Sequence, residues 1–151
     1  MRALIALAAW AALGAWAGPA LGCTVGVATQ GGLGINGSGD TLSSENVLSG
    51  GLVSVLTVTN GLFDPAYTVF VSAPSLVPPP GYHGTPTVLV AYTAAGVGVA
   101  KTQPMTASAT SFDAPAAALA VVLTLQSRIV SPDGFASGAY QSKVTVTCAP
   151  Q

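Results

Sequence analysis

After about residue 22 the chain alternates apolar and polar residues in short runs, with the two-residue period of β-strands. In the first run, Cys23, Val25 and Val27 lie on one face, and the residues between them lie on the other. Comparable runs follow at 52–60, 67–71, 88–93, 119–130 and 140–148. Clusters of glycine, proline, asparagine and aspartate separate these runs, as is typical of turns. The pattern therefore predicts an all-β protein.

The same alternation predicts which side chains are buried and which strands lie at an edge. The longest run is predicted to bury one face, made of Leu119, Val121, Leu123, Leu125 and Ile129. Proline cannot donate a ladder hydrogen bond, so residues 74–86 are predicted to form a loop and 102–110 an edge strand. Turns are expected to begin at Asp113 and at Ser131. About seven or eight antiparallel strands at this spacing indicate a β-sandwich.

The N-terminal segment has a different composition, which is typical of a cleaved secretory signal. Arg2 precedes an uninterrupted apolar run, residues 3–13, and Ala20-Leu21-Gly22 places small residues where a signal peptidase cuts. A second cleavage position follows Ala17. The apolar run is shorter than the roughly 20 residues that span a bilayer. We therefore expect residues 1–22 to be a signal peptide and 23–151 to be one exported domain, in the periplasm, at the cell surface or outside the cell.

The charge content excludes several classes of partner. Residues 23–151 carry three basic and five acidic side chains, a net charge of −2. So few basic residues cannot form a binding patch for nucleic acid or anionic lipid. Charged residues make up 6% of the whole chain, against about 25% in a typical soluble domain, so little repulsion opposes contact between copies. We expect no nucleic-acid partner and no membrane span.

Two motifs with a formal match to ligand sites are predicted to be turns. Residues 32–37, Gly-Leu-Gly-Ile-Asn-Gly, match a dinucleotide-binding pattern, but the sequence that follows is not helical. Asn36, Ser38 and Asp40 have the spacing of the first half of a calcium loop, whose required glutamate is replaced by Val47. Neither motif therefore predicts a cofactor or a metal.

Catalytic chemistry is not predicted either. His83 is the only histidine, and no Gly-x-Ser-x-Gly elbow accompanies it. The five acidic residues are scattered over different predicted loops, which gives no support to a paired-carboxylate site. The protein is not expected to be an enzyme. Tyr82 and His83, in the proline-rich loop, are the candidate binding residues because loops on a rigid scaffold carry recognition.

The role of Cys23 has three interpretations. Lipidation requires a large apolar residue three positions earlier, where this chain has Ala20. A reactive thiol requires a basic neighbour or a helix N-terminus, and the nearest charge after Cys23 is Asp40. A disulfide with Cys148 is favoured because each cysteine shares a face with the apolar residues of its own strand, and export would place both in an oxidising compartment.

The C-terminal third of the mature chain resembles the ending of spore coat protein U domains, which include subunits of archaic chaperone–usher pili. The resemblance lies in residues 123–130, Leu-Thr-Leu-Gln-Ser-Arg-Ile-Val, and in residues 134–147, Gly-Phe-Ala-Ser-Gly-Ala-Tyr-Gln-Ser-Lys-Val-Thr-Val-Thr. Upstream, the Cys-Thr-Val start and the glycine-rich turn occur in a similar order.

This resemblance implies an incomplete immunoglobulin-like, pilin-like sandwich, completed by a strand from a neighbouring subunit or from a periplasmic chaperone. In this chain the second cysteine lies near the C-terminus, and cleavage before Cys23 leaves no N-terminal extension to donate. The resemblance then implies a terminal subunit or a self-sufficient relative.

Two functions follow as predictions. The first is an exported structural or adhesive surface protein that contributes to a pilus or outer layer through β-strand association with copies of itself or related subunits. The alternative is a self-contained monomeric binding module, outside the cell or in the periplasm, that uses the loop around Tyr82 and His83.

Overall fold

The computed structural model describes residues 22–151, so the predicted signal peptide lies outside the described residues except for Gly22. Twelve strands and one short 3-10 helix occur in the part that is described. The strands are β1 (Thr24–Thr29), β2 (Gly34–Ile35), β3 (Thr41–Ser43), β4 (Ser54–Thr59), β5 (Tyr67–Val71), β6 (Ser75–Val77), β7 (Thr87–Gly96), β8 (Val99–Thr106), β9 (Thr110–Ala114), β10 (Ala120–Val130), β11 (Gln141–Lys143) and β12 (Val146–Pro150), and the 3-10 helix is Val47–Ser49.

The first layer is a seven-stranded sheet built around β10, the longest strand. On one side β10 pairs with β7 along nearly its whole length. On the other side it pairs first with β4, through residues 120–125, and then with β3, through residues 128–130. β1 lies outside β4, β8 lies outside β7, and β2 lies outside β3. All of these pairings are antiparallel, and β1 and β8 form opposite edges.

The second layer consists of a three-stranded sheet in the order β12-β5-β9 and a two-stranded sheet of β11 and β6. The two sheets continue one another. Between them, the Ser72 amide donates to the Thr145 carbonyl at 2.9 Å. The segment from β5 to β6 therefore runs antiparallel to the segment from β11 to β12.

A common core joins the layers. Its large buried members come from both sheets: Val58, Val90, Tyr92, Val121, Leu123 and Leu125 from the first, and Tyr67, Val69, Val71 and Phe112 from the second. The two buried tyrosine hydroxyls have partners, as buried polar groups require. The Tyr67 hydroxyl donates to the Ala118 carbonyl at 2.9 Å, and the Tyr92 hydroxyl shares a 3.1 Å hydrogen bond with Thr110.

The predicted disulfide is present. Cys23 and Cys148 are bonded, with an S–S distance of 2.07 Å and a Cα–Cα distance of 6.0 Å. Cys23 directly precedes β1, an edge of the first layer, and Cys148 lies in β12, an edge of the second. The bond therefore ties the two layers together along one side of the sandwich.

The predicted sandwich is confirmed, with more strands than expected. The prediction for Leu119 was wrong: this side chain is 40% exposed and precedes β10. The turn expected at Asp113 begins later, because Asp113 lies in β9, where it pairs with Thr68. The predicted proline-rich loop contains β6, which pairs only with β11 among the described strands. The C-terminal run is divided into β11 and β12. The number of strands is therefore higher than the seven or eight that were predicted.

Tyr67 gives the fold a predicted sensitivity to alkaline pH. Burial raises the pKa of its phenol above the ordinary value of 10.0. The unfolded chain therefore ionises this group first, so we expect its contribution to stability to be full below about pH 10 and lost as the pH rises through the raised folded pKa.

The Tyr67→Phe variant tests this expectation by denaturant unfolding. Near pH 8 the variant is expected to be about 1 kcal/mol less stable than the parent, because the Ala118 carbonyl loses its donor. Near pH 11 the difference in the free energy of unfolding between the two proteins should become smaller. The parent loses stability there because its unfolded chain ionises at Tyr67, and the variant has no phenol to ionise. A stability difference that is the same at both pH values would contradict a raised pKa for Tyr67.

Candidate functional site

The most distinctive surface feature is a cleft of about 490 Å³ between the edges of the two layers, here called the inter-sheet cleft. One wall is β1 with the segment that follows it, and the other is β11 with β12. Among the described residues β1 pairs only with β4, β11 only with β6, and β12 only with β5. Each wall therefore carries a row of backbone groups with no strand opposite. The disulfide joins the same two edges outside the cleft lining, since Cys23 directly precedes β1 and Cys148 lies in β12.

The lining of the inter-sheet cleft is mixed, with apolar and polar groups in about equal measure. The apolar members are Val27, Leu33, Leu52, Leu56, Leu125, Val144 and Val146. Val27 is 62% exposed and Leu52 is 50% exposed, although both lie against this cleft. The sequence predicted that Cys23, Val25 and Val27 share one inward face, and the core covers only part of that face. Val25 packs against the core, whereas Val27 faces the opening.

A polar group also lies in the lining. The Ser142 hydroxyl is buried and has no hydrogen-bond partner in the described part of the chain. A buried hydroxyl without a partner costs about 1–3 kcal/mol, so an occupant that supplied a hydrogen bond there would be favoured. Ser44, Ser54 and Ser127 add further polar groups to the lining. The cleft therefore suits a segment with apolar side chains and at least one polar group.

Close backbone approaches occur at and beside the glycine-rich part of the inter-sheet cleft. The glycine-rich segment predicted to be a turn runs beside Leu52, and Gly32 and Leu52 exchange two backbone hydrogen bonds of 2.8 and 3.0 Å. A Cβ on Gly51 would lie 2.7 Å from the Ser43 carbonyl oxygen, so a larger residue does not fit there. No helix follows residues 32–37 in the structure, which removes the geometry that a dinucleotide phosphate needs.

The residues with calcium-loop spacing form a closed turn. The Asp40 carboxylate accepts hydrogen bonds from Asn36, Ser38 and Thr41 at 2.7, 2.9 and 3.0 Å. These bonds, led by that from Asn36, lower the pKa of Asp40. The side-chain oxygen of Asn36, Oδ1, accepts from the backbone amides of Gly39 and Thr41. The polar atoms of this turn are thus used to hold the turn itself. No cluster of three metal-ligating side chains occurs within residues 22–151.

The two predicted binding residues have different environments. Tyr82 is half-buried, and its hydroxyl shares a 3.0 Å hydrogen bond with the buried hydroxyl of Ser131. Its ring packs edge-on against Tyr140, and Tyr140 packs in the same way against Phe135, with centroid distances of 5.3 and 5.1 Å. His83 is exposed beside this aromatic cluster.

Tyr82 also lines a second cavity, of about 570 Å³, here called the proline pocket. Its main lining residues are Pro74, Leu76, Pro78, Tyr82, Pro86 and Val88. The sequence indicated the proline-rich loop, which supplies most of the proline pocket, but not the inter-sheet cleft, which forms between segments that are distant along the chain. The alternation of apolar and polar residues in β1 and in the C-terminal run predicted the strands that form the walls of the inter-sheet cleft. It did not show that these strands would face each other across a gap.

No helix among the described residues is long and apolar enough to cross a membrane. Comparison of the chain with protein-family models, with curated proteins and with solved structures found no match. The spore coat protein U assignment therefore stays a prediction that depends on the residues quoted for it.

Proposed function

We propose that the protein is an exported structural or adhesive surface protein that contributes to a pilus or outer layer by β-strand association. The observation that carries this proposal is the inter-sheet cleft, a gap with a mixed apolar and polar lining that is bordered by the unpaired edges of β1 and β11–β12. An extended segment placed there would gain backbone hydrogen bonds from an edge and would bury its alternate side chains. The proposed occupant is a strand from another copy, from a related subunit or from a periplasmic chaperone.

Three further features support this role. The disulfide is compatible with an oxidising compartment and so with export. The low charge opposes self-association only weakly. Val27 and Leu52 leave large apolar side chains half-exposed at the cleft, and a strand docked there would remove them from water.

The proposal is tested by expressing the full chain in a bacterial host and recovering the exported fraction. We expect non-reducing mass spectrometry to show a chain that starts at residue 18 or 23 with the disulfide intact. Light scattering after size-exclusion chromatography should show multimers, or a complex with a chaperone. A lipid mass on Cys23 would contradict the disulfide, and a chain that stays in the cytoplasm would contradict export.

A second candidate function is a self-contained binding module, and the proline pocket favours it. Tyr82 lines this cavity and is fixed by its bond to Ser131, which gives a rigid apolar wall. This candidate predicts a soluble monomer at every concentration. The same light-scattering experiment therefore decides between the two functions.

A further inference from the structure

Two Asn-Gly pairs lie in turns of the structure, Asn36-Gly37 and Asn60-Gly61. Both glycines are exposed, and both asparagines are half-buried. In such a pair the glycine amide nitrogen can attack the asparagine side-chain carbonyl, because the glycine has no Cβ to hinder the approach. The two groups are neighbours in the chain, so rotation about bonds of the asparagine closes the ring. The rate of closure then depends on what holds the asparagine side chain and on what accepts the amide proton.

The side chain of Asn36 is fixed at both ends of its amide group. Its Oδ1 accepts hydrogen bonds from the backbone amides of Gly39 and Thr41 at 3.0 and 3.1 Å. Its Nδ2 donates to the side chains of Ser38 and Asp40, both at 2.7 Å. Ring closure at Asn36 would have to break these bonds. Each hydrogen bond that must be broken slows a reaction several-fold, so we expect this site to react slowly.

The side chain of Asn60 is held much less firmly. Within residues 22–151 its only side-chain hydrogen bond is from Nδ2 to the Pro65 carbonyl, at 3.0 Å. The Gly61 amide beside it donates to the Asp64 carboxylate at 3.0 Å. A Cβ on Gly61 would lie 2.5 Å from Oδ2 of Asp64, so a glycine is what lets the carboxylate lie this close. The attacking nitrogen is therefore already hydrogen-bonded to a group that can accept its proton.

We propose that Asn60 is a site of spontaneous deamidation in the folded protein, with the Asp64 carboxylate as the proton acceptor. The Gly61 nitrogen forms a bond to Cγ of Asn60 and gives its proton to Asp64. The bond from Cγ to Nδ2 then breaks, and Nδ2 leaves as ammonia with that proton. One water molecule adds to either carbonyl group of the cyclic imide that remains, which opens the ring to aspartate or isoaspartate. The reaction consumes no oxidant or reductant.

The product changes the turn between β4 and β5. The carboxylate that replaces the Asn60 amide cannot donate to the Pro65 carbonyl. It also adds a negative charge to a turn that already holds Asp64, and like charges close together repel. One added carboxylate changes the net charge of residues 23–151 from −2 to −3. Because water is the only other reactant, the reaction proceeds whether or not copies of the chain associate.

Peptide mapping by mass spectrometry tests the proposal on the folded, disulfide-bonded chain during incubation at mildly alkaline pH. We expect Asn60 to deamidate at least about tenfold faster than Asn36, since ring closure at Asn60 breaks fewer hydrogen bonds. Asn36 is the matched control, because it is also half-buried and followed by glycine. In the reduced and denatured chain the two sites should react at similar rates, which shows that the folded structure causes the difference.

The Asp64→Asn variant tests the role of the carboxylate. The introduced amide can still accept the Gly61 hydrogen bond, and it cannot form an imide itself because Pro65 has no N–H. We expect deamidation at Asn60 to become at least about tenfold slower, with Asn36 unchanged. A variant that only loosened the turn would react faster instead. Equal rates at the two asparagines of the folded parent, no reaction at Asn60, or an undiminished rate in the variant would overturn the inference.

Discussion

Replacing Cys23 and Cys148 together with serine is expected to lower the free energy of unfolding by about 4–5 kcal/mol. The bond spans 125 residues, so removing it returns a large amount of chain entropy to the unfolded state. This loss is a large share of a total stability of about 5–15 kcal/mol. Denaturant unfolding of the double variant, beside the parent with and without reductant, measures it.

The double variant is preferred to a single one because a single substitution leaves a free thiol that can pair with another copy. The reduced parent serves as the matched control, since it lacks the bond but keeps both sulfur atoms. We expect the two to lose similar stability. A loss below about 1 kcal/mol in both would show that the two layers do not need the bond to stay together.

The second large effect is expected on the association of copies of the protein through the inter-sheet cleft. Val27→Asp is expected to weaken strand association strongly, raising the protein concentration at which copies assemble by at least about a hundredfold. The substitution places a carboxylate on the wall of the inter-sheet cleft, where an incoming strand would bury it without a partner, and desolvating an unpaired charge costs several kcal/mol. Because Val27 is 62% exposed, the fold itself should lose little stability.

The matched control for this variant is Val122→Asp. Val122 also lies in a strand of the first layer and is 44% exposed, but it does not line the cleft. Sedimentation velocity over a concentration series compares the two variants. Equal assembly by both would mean that the cleft does not receive a strand. Loss of assembly in both would point to a general effect of added charge.

The central strands of the fold could be predicted from the sequence because the apolar residues that recur at every second position are the ones that are buried. In β5, Tyr67, Val69 and Val71 alternate with polar or exposed residues and are all buried. The alternation from Val121 to Ile129 in β10 is likewise confirmed. The disulfide also follows, since each cysteine continues the inward face of its own run.

Other features depend on tertiary contacts that a linear pattern does not contain. Leu119 continues the period of β10, yet its backbone carbonyl is used by the turn at Asn60, and the side chain stays exposed. The strand β9 was missed because its two inward residues, Phe112 and Ala114, are too few for a clear period. The aromatic cluster of Tyr82, Phe135 and Tyr140 joins two loops that are about 50 residues apart in the sequence. A local sequence pattern could therefore not predict it.

The central claim is that a strand associates with the free edges of the inter-sheet cleft, and amide hydrogen exchange tests it most directly. The measurement compares β1 and β11–β12 in the isolated monomer and in the assembled exported material, with the internal strand β10 as reference. We predict that edge amides of β1 or of β11–β12 exchange quickly in the monomer and become at least about tenfold slower in the assembly, while β10 is slow in both. Equal exchange of both edges in the two samples would contradict the account.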